Sequence, residues 1–226
     1  MKTPKTLADM ARRGEDNRFW YVTAHAQLLA LQAYIKTDRR CEWPVSSLAD
    51  IFAIFSPRVQ VTRNIRDALW YINRTAPNDD SVPPVKAVWT HHTELDPIRF
   101  RIGMLGTTKK AMKHWEKTGE VRGPKTSAFS RALQLDPNAV VLDVWMARAL
   151  DIPDKFTKAQ AREGTRRIIR TASLLNWSPA ETQAAIWMTA IRWSPQRRIN
   201  PTPYLIMPEV SHEHEATTPK NSTPAD

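Results

Sequence analysis

The sequence predicts a mostly α-helical single domain, and three observations carry that reading. Apolar residues recur at helical spacing in several segments, helix-start and helix-stop residues bracket those segments, and no alternating strand pattern stands out. A chain of 226 residues holds one sizeable core with tails. The expected division is a loose basic N-terminal arm over residues 1–15, a helical domain over 16–207, and a disordered tail over 208–226 that is rich in Thr, Pro, Glu and His.

The first helix is expected over Phe19 to Ile35, where Trp20, Ala24, Leu28, Leu31 and Ile35 fall on one face. Pro44, Ser46 and Ser47 open a second, whose apolar run from Leu48 to Phe55 stops at Ser56-Pro57, because a residue before proline disfavours the helical region. A third runs from Val59 to Asn73, with Val61, Ile65, Leu69 and Ile72 along one side. Pro77, Pro83 and Pro84 with Asn78-Asp79-Asp80-Ser81 mark a loop, with a short helix, between Arg74 and Thr93. Residues 107 to 117 carry Lys109, Lys110, Lys113, His114 and Lys117 and lead to a turn at Gly123. Gly123-Pro124 bends the chain and starts a helix through Leu133, which Asp136-Pro137-Asn138 ends.

Asp143 follows the apolar Val140-Val141-Leu142 and precedes Val144-Trp145-Met146-Ala147-Arg148, so it reads as the N-cap of a helix to about Leu150. The helix from Thr157 to Leu175 places Lys155, Lys158, Arg162, Arg166 and Arg170 in one basic stripe, opposite Phe156, Ile168, Ile169, Ala172 and Leu175. Ser178-Pro179-Ala180-Glu181 has the form of a capping box with proline at the first helical position, and opens a last helix ending near Ser194-Pro195.

Cys41 is the one cysteine, which excludes a disulfide framework and a four-cysteine zinc or iron–sulfur site, and suits a reducing cytosol. No run approaches the ~18 apolar residues of a membrane span, and residues 1–6 lack the apolar region of a secretory signal, so no membrane partner is expected. Net charge is +10, and the last nineteen residues carry −3, leaving +13 on residues 1–207. The basic balance points to a polyanion, and nucleic acid is the expected partner, because neutralising phosphates releases condensed counterions.

The stretch Arg122-Gly123-Pro124-Lys125-Thr126, followed eighteen residues after Lys125 by Asp143, resembles the helix-hairpin-helix DNA glycosylase superfamily. There a Gly-x-Gly-x-Lys-Thr-Ala hairpin precedes a Val-Asp-Thr-His segment. Gly123, Lys125-Thr126 and Asp143 match; Val121 stands at the first hairpin glycine, and Val144-Trp145 replace Thr-His. A second resemblance, over residues 19 to 193, is to a family of tailed-phage proteins with Ser56-Pro57-Arg58, a helix bearing Asn64, a Gly-Pro-Lys and an Asp-x-Trp block. It implies no activity of its own, and it implies the cytoplasm of a bacterial host cell if the chain is phage-encoded.

The glycosylase resemblance implies base extrusion and cleavage of the N-glycosidic bond. Asp143 would stabilise the sugar cation or activate water, and is otherwise an N-cap alone. Lys125 would be an amine nucleophile on C1′, and otherwise a phosphate contact. Gly123 and Arg122 at the hairpin, with Lys109, Lys110, Lys113 and Lys117, would meet the DNA backbone, as would Lys158, Arg162 and Arg166. Arg58 is groove-entering or a surface residue, and Asn64 reads a base edge or braces a loop.

Of the nine tryptophans, Trp20, Trp70, Trp145 and Trp187 are expected in the core; Trp115, with Trp89 and Trp193, is the candidate for stacking on a base. His91-His92 with Glu94 and Asp96 lack the spacing of a metal site, so neither metal nor cofactor is expected. Two further functions stay open: a non-catalytic DNA binder, or a transferase or pyrophosphorylase acting on modified bases in phage DNA.

Overall fold

The computed structural model describes residues 1–39, 43–56, 64–65, 67–69, 71–72 and 106–192. Its elements are α1 (Pro4–Arg13), a single 3-10 turn (Glu15–Asn17), α2 (Trp20–Arg39), α3 (Val45–Phe55), α4 (Gly106–Thr118), α5 (Pro124–Leu133), α6 (Val144–Leu150), α7 (Lys158–Leu175) and α8 (Pro179–Arg192). Among the described residues there is no strand, as the sequence predicts. Residues 64–65, 67–69 and 71–72 are helical and buried, within the helix expected over Val59 to Asn73. The expected loop over Arg74 to Thr93 and the tail over 208–226 lie outside the described residues.

The N-terminal arm is corrected. Residues 4–13 form a helix capped by Thr3, whose hydroxyl accepts the Thr6 N–H at 3.2 Å, with Pro4 in its first turn. Leu7, Ala8, Met10 and Ala11 are buried against α7 and α8, so basic composition concealed an amphipathic helix.

Helix α8 holds the domain together, because it packs against α1, α2, α6 and α7. Ala180, Ala184 and Met188 belong to one core cluster, formed with α2, α3, α5 and the helical residues near 68. Ala185 and Ile186 belong to a second, formed with α1, α6 and Ile168 of α7. Trp187 packs against both. The predicted capping box opens α8: Ser178 N–H donates to Glu181 Oε2 at 2.8 Å, and Glu181 N–H to Ser178 Oγ at 3.2 Å.

Between α4 and α5 the chain turns through two glycines in the left-handed half of backbone space, Gly119 (φ 70°) and Gly123 (φ 98°). Gly119 supplies the first positive φ, so the valine at 121 does not need one; its side chain instead packs on the core. Gly123 is the N-cap of α5 and Pro124 its first residue, the arrangement the Gly-Pro step predicts. Helix α7 carries Lys158, Arg162, Arg166 and Arg170 on its exposed side and begins with a Thr157/Gln160 capping box. Ile169, expected to pack, is 44% exposed.

Candidate functional site

Four helices, α2, α3, α5 and α8, surround a pocket of about 120 Å³ that also takes in Val141 and Asp143 from the approach to α6, and Asn64 and Ile65. That is on the scale of the roughly 150 Å³ cavity that takes up benzene in a well-studied engineered protein. One six-membered ring fits in such a space.

Its walls are aromatic. The Trp20 and Trp187 rings meet edge to face at 5.7 Å and 70°, and Phe129 lies 6.3 Å from both Trp20 and Tyr21. The sequence places Trp20 and Trp187 in the core, and both do pack against it; what the spacing does not show is that they also face a cleft. Trp115 is the reverse case. Its ring stacks on Trp43 at 6.5 Å and 10°, and its Nε1 donates to Asp50 Oδ2 at 2.9 Å, while the other Asp50 oxygen accepts from Ser130. Trp115, the residue expected to stack on a base, thus braces α4 against α3 and does not line the pocket.

The polar groups of the pocket come from distant parts of the chain. Asp143 is the N-cap of α6: Oδ1 accepts the N–H groups of Trp145 and Met146, both at 2.9 Å, and Oδ2 accepts from Trp187 Nε1 at 3.0 Å. The cap fixes the carboxylate at the pocket wall. Lys125, in the first turn of α5, lines the same pocket, half-buried. No ion pair joins the two, and among the described residues Lys125 forms no hydrogen bond. Opposite charges facing one space without pairing leave it free for a ligand.

Sequence reasoning misses Tyr21 and Gln183. The Tyr21 hydroxyl donates to Gln183 Oε1 at 2.6 Å, linking α2 to α8 across 162 residues. Burial, then the charge of Asp143, pushes the Tyr21 phenol well above its ordinary range, so it stays a neutral donor. Gln183 carries a legible signal: a carboxamide inside the apolar face of α8, where a polar side chain needs a partner. Tyr21 has none, because its partner lies at the other end of the chain.

The remaining predicted residues separate into groups. Asn64 lines the pocket, is 6% exposed, and its Oδ1 has no hydrogen-bond partner among the described residues. Ser56 also lines it, whereas Arg58, Trp70, Trp89, Trp193 and the residues from His91 to Asp96 lie outside the described residues. Lys109, Lys113 and Lys117 recur at steps of four on an exposed face of α4, with Lys110 beside them, and Arg122 and Gly123 are exposed at the turn that delivers Lys125. Lys158, Arg162 and Arg166 are exposed on α7, which contributes nothing to the pocket. Arg166 is paired with Glu163 at 3.1 Å. Trp145 lies under the Arg148 guanidinium at 4.9 Å, away from the pocket.

Among the described residues, no three His, Cys, Asp or Glu side chains are grouped to hold a metal ion, and no helix is long and apolar enough to cross a membrane. Neither the curated proteins nor the solved structures include a significant match to the chain. Residues 7–194, a span that begins inside α1 and ends just past α8, match the model of a family of unknown function, DUF7178, and the chain belongs to that family.

Proposed function

We propose that this protein binds DNA and receives an extruded base in the aromatic pocket, where Asp143 acts on the sugar and the N-glycosidic bond is cleaved. The observation that carries the reading is that Asp143 and Lys125, eighteen residues apart, line one aromatic-walled space. Flipped bases are held by stacking between rings and by hydrogen bonds to their edges, and this pocket offers both. Breaking the C1′–N bond sends its electron pair to the base. The fixed Asp143 carboxylate stabilises the cation left on the sugar, and water adds at C1′ as one of its protons passes to the departing base. Lys125 either clamps a phosphate or attacks C1′ itself. The lysines of α4 precede the turn that delivers Lys125, and they supply a track for the backbone.

One observation favours a second reading, a binder without catalysis. Both Asp143 oxygens already accept hydrogen bonds, which suits a cap as well as it suits a catalyst.

The test is incubation of the protein with bacterial host and phage DNA, followed by alkali to reveal abasic sites and borohydride to trap a Schiff base. Abasic sites are expected with the wild type and should fall about 10²–10³-fold with Asp143→Asn, the usual effect of removing one electrostatic stabiliser. An adduct that disappears in Lys125→Ala assigns the nucleophile. Lys109, Lys113 and Lys117 changed together to Ala should lower the salt slope of DNA binding by about one unit for each phosphate no longer neutralised. Salt-sensitive binding with no abasic sites on any DNA selects the binder, and no DNA binding at low salt sinks both.

A further inference from the structure

We infer that the pocket selects a single-ring, pyrimidine-class base and holds the ring's N–H donor edge against the carboxamide of Asn64. The inference deepens the proposed function and rests on the reading of the pocket as a base site.

Two independent observations carry it. The first is size: about 120 Å³ matches one six-membered ring, and a purine adds a fused second ring. The second is an unmet hydrogen bond. Asn64 is 6% exposed and its Oδ1 is buried without a partner among the described residues, although buried side-chain oxygens are nearly always satisfied. It faces the pocket, so a ligand with an N–H there completes it. Gln183 lies in the same space, its Oε1 held by Tyr21 and its NH2 without a partner among the described residues. A neighbouring carbonyl or ring nitrogen of the base would accept from that NH2. A pyrimidine presents a donor and an acceptor side by side on one edge: N3–H beside a carbonyl in uracil or thymine, the exocyclic amine beside N3 in cytosine. The walls of Trp20, Phe129 and Trp187 then meet the ring faces.

The probes are small bases methylated where the sugar would attach: 1-methyluracil, 1-methylcytosine and 9-methyladenine, with 1,3-dimethyluracil as a ring that has lost its N–H. Each is titrated into the full chain, and the Trp187 indole N–H resonance, identified by its loss in Trp187→Phe, reports occupancy. A 1-methylpyrimidine should saturate the shift, with 9-methyladenine about tenfold weaker or worse, the factor expected when a hydrogen bond or a fit is lost at a buried site. If 1-methyluracil is the ligand, 1,3-dimethyluracil should be weaker by a similar factor. Asn64→Leu, which replaces an orphaned amide by an apolar side chain of similar volume, should weaken the pyrimidine about tenfold while raising Tm by roughly 2–4 °C.

Equal binding of the purine overturns the inference, as does 1,3-dimethyluracil binding as tightly as a 1-methyluracil that saturates the shift, or no shift with any probe up to its solubility. The wild-type panel decides even if Asn64→Leu fails to fold. A pyrimidine-selective pocket with no abasic sites in DNA sinks the glycosylase reading alone. Abasic sites formed only at purines overturn the pyrimidine assignment alone.

Discussion

Substituting Asp143 separates the two jobs of its carboxylate, and the geometry predicts the size of each. Oδ1 accepts the N–H groups of Trp145 and Met146, and Oδ2 accepts from the Trp187 indole. Asparagine caps a helix as well as aspartate does, so Asp143→Asn keeps the first pair of bonds. Its NH2 then faces the indole N–H, donor against donor, and the loss of that bond costs about 1 kcal/mol. Asp143→Ala loses both: about 1 kcal/mol for the cap, and the same ~1 kcal/mol for the indole bond. In a chain of this size 1 kcal/mol moves Tm by roughly 2–4 °C, so Asn should melt about 2–4 °C below wild type and Ala about 4–8 °C below it. Thermal unfolding followed by far-UV circular dichroism reads both. Equal losses for Asn and Ala would refute the cap as the source of stability. A wild-type Tm for Ala would refute the claim that α6 is anchored through this residue. The pair also serves the functional test, because activity lost in a stable Asp143→Asn protein is not a folding artefact.

Two glycines predict opposite outcomes for the same substitution, and the tyrosines predict a pH response. A Cβ at Gly14 runs into the Ala185 carbonyl and the Thr189 hydroxyl where the chain leaves α1 against α8, so Gly14→Ala should destabilise by about 3 kcal/mol. A Cβ at Gly106, the first residue of α4, meets nothing among the described residues, so Gly106→Ala should stabilise by about 0.4–1 kcal/mol; urea unfolding of the two variants checks both signs. Tyr21 is pushed up by burial and then by Asp143, and Tyr71 by burial and then by its hydrogen bond to Glu116 at 2.7 Å. Both phenols therefore hold their protons more tightly folded than unfolded, so their contribution is complete below about pH 10, the ordinary tyrosine value, and is lost as pH rises beyond it. In an alkaline titration at 295 nm, Tyr21 and Tyr71 should ionise only with unfolding; all four tyrosines of the chain ionising together near pH 10 would contradict this.

Most of the helical framework is legible because its punctuation is local. Gly123-Pro124, Asp143, Thr157 with Gln160, and Ser178 with Glu181 sit where the capping rules require, and each cap is present. Helix α1 escapes notice because Lys5, Arg12 and Arg13 dominate its composition, while the pattern Leu7, Met10, Ala11 spans only two turns. That Asp143 and Lys125 could face one cleft is readable from a motif, but the walls of the pocket they share are not. Tyr21, Phe129, Gln183 and Trp187 are each ordinary residues in ordinary helices. They become a site only when α2, α5 and α8 pack, which no spacing along the chain encodes. Trp115 shows the converse: its setting among Lys113 and His114 suggests an exposed ring, and Asp50 and Trp43, far away in sequence, hold it as a brace.

The Tyr21 to Gln183 bond bears on the order in which the site comes into being. One wall of the cleft is made within the first thirty residues and the opposite wall by the last helix described, so during synthesis the early wall emerges from the ribosome long before its counterpart exists. A nascent or truncated chain that stops before α8 has neither the Gln183 amide nor the Trp187 ring, and its Asp143 has no indole to hold. The complete pocket is then a property of chains that include α8, and any fragment screen of this domain that omits α8 is blind to it.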